Sequence, residues 1–186
     1  MMKTLKVICV VLLVVGLGFI VVKLCDDGTV KVNLTQAMID DALAKKFPKT
    51  TTYLKIVKVR YSNPKAKLLA EQGKVLVSLD VQVTLGIKGL ETSYHGSAAL
   101  STRVGYHSTD YRFYLQDAEL QALEIPKIAQ DKLEFVREGL NVIAREFVDE
   151  VPIYRLSKND TKTHLAKLFL KAIDIKPDRV VVTLGL

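Results

Sequence analysis

The sequence predicts an α+β fold: a highly curved antiparallel sheet wrapped around one long α-helix in the C-terminal half, preceded by an N-terminal membrane segment. Three observations predict it. Ala129, Leu133, Val136, Leu140, Ile143 and Phe147 recur at spacings of four and three, one face of a helix of roughly 24 residues and about 36 Å between Pro126 and Glu150. Upstream of it, long stretches alternate apolar and polar residues with the period of a strand that is buried on one face and wet on the other. At the N-terminus, Lys3 and Lys6 precede Val7–Val22, sixteen residues without a charged side chain, and Lys23 closes the run.

That N-terminal pattern is a charged region followed by an apolar one, as in an export signal. The run falls short of a comfortable span of about 20 residues, and Lys6 and Lys23 would extend it by snorkelling. Three fates stay open: an uncleaved signal anchor, cleavage near Gly16 and Gly18, or acylation of Cys25, which follows Leu24. Each leaves residues 26–186 outside the cytoplasm as a single domain, with 1–25 as the targeting segment. Both cysteines, Cys9 and Cys25, lie in or beside the run, so the domain has no disulfide and no thiolate metal site.

Within the domain, Thr29–Asn33 alternates as a short strand. Thr35 then caps a helix to about Phe47, with Met38, Ile39, Ala42, Leu43 and Phe47 facing inward and Pro48 ending it. Thr52–Ser62 alternates with a parity flip that reads as a bulge. Asn63-Pro64 to Gly73 reads as a loop. Lys74–Leu85 is the clearest strand, with Val75, Val77, Leu79, Val81, Val83 and Leu85 on one face. Gly86–Gly89 is a turn, and Leu90–Val104 resumes the alternation, with Gly96 marking a bend. Gly105 opens another turn. Thr109–Leu115 alternates again, and a parity shift to Ala118, Leu120 and Ala122 predicts a second bulge. After the long helix, Val151–Leu156 is a strand, Asn159 or Asp160 caps a helix to about Ala172, Lys176-Pro177-Asp178 turns, and Val180, Val182 and Leu184 form a closing strand.

Composition excludes several function classes. The net charge is +7, three of the cations flank the apolar run, and the remainder is scattered, which does not describe a nucleic-acid surface. His95, His107 and His164 stand apart without metal-ligand spacing. Asp40-Asp41 and Asp149-Glu150 are adjacent acids that diverge on a helix. The glycine pairs lack a phosphate-loop context. Nothing forms a catalytic constellation, so the chain reads as a non-enzyme without cofactor or metal. Tyr94, Tyr106, Tyr111 and Tyr114 cluster on neighbouring strands, as sheet packing or as the rim of an apolar site.

The order of elements resembles the YceB-like family of bacterial envelope lipoproteins. Thr35–Lys45, the "P-I-Y-R-L" within Val151–Leu156, and the "I-K-P-D-R-V-V-V" within Ile173–Val182 carry the resemblance. That family is similar in fold to the TULIP superfamily, several members of which bind lipids between a long helix and a curved sheet. The resemblance implies a protein at the periplasmic face of the inner membrane, attached by its N-terminal segment, that holds a lipid or fatty-acyl chain. The expected lining is Val77, Leu79, Val81, Val83, Tyr94, Tyr111 and Phe113 from the sheet, with Leu133, Val136, Leu140 and Ile143 from the helix around Gly139. The alternative is a structural or adaptor protein of the envelope with a filled groove and a binding surface elsewhere, such as Lys65–Lys74.

Overall fold

The computed structural model describes residues 10–15, 18–24, 29–53, 57–87, 90–130, 133, 134, 137, 141, 148, 151–156 and 169–185. Alternation governs far more of the described residues than helical spacing does, and the molecule is mostly β. Eleven strands are described. They are β1 (Val10–Val15), β2 (Gly18–Leu24), β3 (Val30–Thr35), β4 (Lys49–Tyr53), β5 (Val57–Leu69), β6 (Lys74–Ile87), β7 (Leu90–His107), β8 (Arg112–Glu124), β9 (Val151–Arg155), β10 (Phe169–Ile175) and β11 (Arg179–Gly185). One α-helix, α1 (Gln36–Ala44), joins β3 to β4. The strands form two antiparallel sheets, β1-β2-β3-β11-β10 and β4-β5-β6-β7-β8-β9.

The second sheet is organised on β6. Its alternate residues Val75, Val77, Leu79, Val81 and Val83 are all buried. The ladders carry that face sideways without a break: Val59 and Tyr61 stand opposite Val83 and Val81, and Leu100 and Ala98 opposite Val77 and Leu79. Leu123 and Leu120 then extend it beyond Ala98 and Leu100, and Leu115 meets Val151 of β9. Thr102 is the polar intruder on this face, and its hydroxyl donates to the Val75 carbonyl at 3.3 Å, which removes the cost of burying it.

Bulges set the curvature. Between Ser62 and Lys65, β5 carries one residue more than β6 opposite, and β8 carries an extra residue against β7 at Asp117 and again at Gln121. Asn63 (φ 51°) and Asp117 (φ 54°) take the left-handed conformation at two of these sites, which asparagine and aspartate tolerate best among side-chain residues. Each bulge bends and twists its strand, and the sheet curls into a half-barrel. The reach of α1 shows the extent of the curl. This helix touches both β5 and β9, which on a flat sheet would lie about 19 Å apart at ~4.8 Å per strand, whereas a helix is only about 10 Å across. Thr35 caps α1 as its sequence indicates, accepting the Met38 N–H at 3.4 Å, and Ile39, Ala42 and Leu43 are buried. On its flank, Asp40 accepts the Ala66 N–H at 2.6 Å, securing β5 beyond Tyr61, where its pairing with β4 has ended.

Several expectations are corrected. The sheet is not wrapped around one long helix, and the TULIP-like α+β arrangement gives way to a mostly β molecule whose fully described helix has nine residues. Pro126 and Lys127 form a turn, with Lys127 at φ 66°, a conformation a helix cannot contain, so no helix starts at Pro126. Helical residues begin at Gln130 and recur at 133, 134, 137 and 141, the Leu133 N–H donating to the Ala129 carbonyl at 2.9 Å. Val136, Gly139, Leu140, Ile143 and Phe147 lie outside the described residues. The apolar N-terminal run is not a membrane helix. Its valines pair as the hairpin β1-β2, Val15 opposite Gly18, and β2 continues onto β3. No helix of the described residues is long and apolar enough to cross a membrane. β-Branched valine and isoleucine favour this extended state.

Four further readings differ. Thr52–Ser62 is two strands, with Tyr53 opposite Val57, so the parity flip marks a hairpin. Asn63 to Leu69 is strand where a loop was expected, and Gly105 lies inside β7. Phe169–Ala172 belongs to β10 and Phe169 is 63% exposed, where a helix with Phe169 inward was expected. Cys25 and residues 157–168 lie outside the described residues.

Gly96 is required by close approach. A Cβ there would stand 2.0 Å from the Glu124 carbonyl oxygen, where the end of β8 crosses β7. Gly73 (φ 61°) has open space around it. Thermal denaturation should therefore show Gly96→Ala losing about 2–3 kcal/mol through overpacking, and Gly73→Ala only about 1 kcal/mol for its left-handed backbone.

Candidate ligand-binding face

The curled sheet brings together the residues expected to line a site. Val77, Leu79, Val81, Val83 and Phe113 share its concave face and are buried. Tyr94 stands opposite Val83 on the same face, and Tyr94, Tyr111 and Leu133 are partly buried against the core. Val148 belongs to the same core, and Ile128 and Leu133 pack against it partly buried. The face ends in an aromatic row. Tyr106 pairs with Phe113, their rings 5.0 Å apart, and Phe113 stacks on Tyr154 at 6.2 Å. The Tyr106 hydroxyl is buried without a hydrogen-bond partner among the described residues. Burial, followed by the proximity of Tyr111 and Asp110, raises its pKa, so it stays protonated and available as a donor.

Residues 34–179, most of the chain, match the family described as "Protein of unknown function (DUF1439)". The chain belongs to this family. The match does not carry the YceB-like name. No curated protein matches the sequence. Among solved structures, one described as "Crystal structure of lipopolysaccharide binding protein" aligns at 12% identity and a TM-score of 0.30, covering 87% of this chain and 50% of that one. This DUF1439 member thus spans half of that protein, and a superposition so loose transfers neither fold nor ligand.

The opposite face of the β7-β8 hairpin holds a polar cluster that residue spacing alone did not show. The Tyr114 hydroxyl donates to Asp110, the His107 ring lies 4.5 Å from the Tyr114 ring, and Arg112 Nε is 3.8 Å from Asp110. The bond from Tyr114, aided by the charge of Arg112, holds the Asp110 carboxyl below its ordinary range, and the same bond raises the Tyr114 pKa. Tyr111 (φ 57°) turns the chain here, and its carbonyl accepts the Leu156 N–H at 2.8 Å. That backbone bond ties the hairpin to the residue just after β9. The available sequence signal was an aspartate four residues before a tyrosine at the mouth of a hairpin.

A separate cavity of about 870 Å³ opens at the β5 bulge, lined by Leu79 but not by Val77, Val81, Val83 or Phe113. No three His, Cys, Asp or Glu side chains gather into a metal-binding group among the described residues. His95 and His107 are exposed.

Because the folded pKa of Asp110 is depressed, its contribution is present above the unfolded value near 3.8 and is lost as pH falls through the lower folded value. Tyr114→Phe removes the hydrogen bond, so acid titration followed by near-UV circular dichroism should show a smaller loss of stability below about pH 4 in the variant than in the parent.

Proposed function

We propose that this protein is a non-catalytic binder of a lipid or other apolar ligand, held on the concave face of the six-stranded sheet. The observation that supports it is that face itself: an apolar surface from five neighbouring strands with Thr102 as its polar intruder, curled until α1 reaches both β5 and β9. Each CH₂ moved from water onto it contributes about 0.8 kcal/mol. The partly buried tyrosines Tyr94, Tyr106 and Tyr111 would face the polar end of such a ligand. Ile128, Leu133 and Val148 already pack against the core, so a guest must displace such side chains, and the cost of that displacement offsets some of the gain.

One observation favours a second reading. Val77, Val83 and Phe113 have no exposed surface at all, as expected of a structural or adaptor protein whose groove is filled by its own side chains. Native mass spectrometry of gently purified protein separates the two. A binder carries a lipid mass, and restoring lipid at about 100 times Kd adds about 2.7 kcal/mol of stability. A protein that emerges free of lipid, and whose melting temperature ignores added lipids, is the filled structural form.

We also place the protein outside the bacterial cytoplasm. An export signal is read on the unfolded chain, so the β1-β2 hairpin of the folded chain does not bear on its recognition. Cell fractionation combined with the intact mass of the recovered protein should find it in the envelope fraction. Recovery in the cytoplasm at full-length mass would refute this location.

A further inference from the structure

The cavity at the β5 bulge is built differently from the concave face, with which it shares Leu79. Several parts of the chain meet at it. β4 ends its pairing with β5 at Lys49 opposite Tyr61, the chain just before it supplies Ala44, Phe47 and Pro48, and the bulge after Ser62 leaves Leu79 of β6 without a partner on β5. The space, about 870 Å³, is in the size range of small-molecule sites. Its walls divide by chemistry. Phe47, Pro48 and Leu79 are apolar, while Arg60, Lys65 and three serines bring hydrogen-bond donors.

Those donors are uncommitted. On this sheet Lys58 is paired with Glu91, Lys74 with Glu119 and Arg103 with Asp117, whereas Lys67 and Arg155, both exposed, have no such partner among the described residues. Among the described residues no ion pair or hydrogen bond engages the side chains of Arg60, Lys65, Ser62, Ser78 or Ser97. Arg60 and Lys65 flank the bulge on the side of β5 opposite to the buried Val59, Tyr61 and Ala66. Ser62 and Ser97 stand on either side of Asp80 in one row across three strands. Asp80 is the one acid in the wall. Its Oδ2 accepts from Asn63 Nδ2 at 2.7 Å, the left-handed residue of the bulge. Lys45 and Lys46, both exposed, lie in the chain between the lining residues Ala44 and Phe47.

We propose that this cavity binds a phosphate-bearing ligand, with Arg60 and Lys65 as the charged contacts and the hydroxyls of Ser62, Ser78 and Ser97 as neutral donors. A phosphomonoester carries close to two negative charges and three terminal oxygens, which matches two cations and three hydroxyls. A carboxylate, with one charge and two oxygens, would leave donors unused. Arginine suits the site because its planar fork meets two phosphate oxygens at once. The apolar wall accepts an organic body, so the phosphate belongs either to a lipid headgroup or to a small soluble phosphate.

Calorimetric titration of the full chain at low ionic strength tests this, with inorganic phosphate and dodecyl phosphate as probes and dodecyl maltoside as the phosphate-free control. Both phosphates should bind, and Arg60→Ala/Lys65→Ala should weaken them by about tenfold or more. The melting temperature should be unchanged, because both side chains are exposed. Asp80→Asn removes a like charge and should tighten phosphate binding by about threefold. Dodecyl maltoside should not respond to the double substitution. Dodecyl phosphate binding tenfold tighter than inorganic phosphate assigns the site to a lipid headgroup, and equal affinity assigns it to a soluble phosphate. The proposal is overturned if neither phosphate binds at millimolar concentration, or if the double variant binds both as the parent does.

Discussion

The register of β6 is the constraint on which the rest of the molecule depends. Its alternate valines and leucine, Val75 to Val83, are buried, and the strand is paired along both edges. A slip of one residue would turn all of them to solvent and bring Ser78, Asp80 and Gln82 into the core. That penalty aligns β5 and β7, and through β7 it aligns β8 and β9. The concave face is therefore a single object, positioned by one strand.

Curvature comes from exceptions to this register. The extra residues on β5 and β8 are accommodated by Asn63, Asp117 and Gln121, and the consequence is felt on both sides of the sheet. On the inside, the curl draws β5 and β9 within reach of α1. On the outside, the β5 bulge breaks the ladder at Leu79 and opens the donor-lined cavity. One inserted residue thus shapes the apolar face proposed for a lipid and the polar cavity proposed for a phosphate. Asp40, by accepting the Ala66 N–H, holds the strand on the far side of that break.

The β7-β8 hairpin shows how the rim is kept in place. Tyr106, Phe113 and Tyr154 make an aromatic row on the inner side, and Asp110, Tyr114 and His107 make a polar lock on the outer side. Alternation along β8 separates the two sets, because successive side chains point to opposite faces. Among the described residues, the Tyr106 hydroxyl of the aromatic row has no hydrogen-bond partner.

Period-two alternation by itself determined β3, β6, β7, β8, β9 and β11 and the concave residues Val77, Leu79, Val81, Val83 and Phe113, because burial on one face leaves a direct trace in residue order. Thr35 as a helix cap and the parity shift before Ala118 were legible for the same local reason. Tertiary structure decided what local signals left ambiguous. A continuous apolar run such as Val7–Val22 has no period, so its pairing as β1 and β2 against β3 depends on a neighbouring strand. Asn63-Pro64 carries the residues of a turn, and only pairing with β6 makes it a bulge within a strand. The cavity beside it, which joins the end of α1, Phe47-Pro48, β5, β6 and β7, has no sequence signature, because its residues come from segments that nothing but the folded sheet places together.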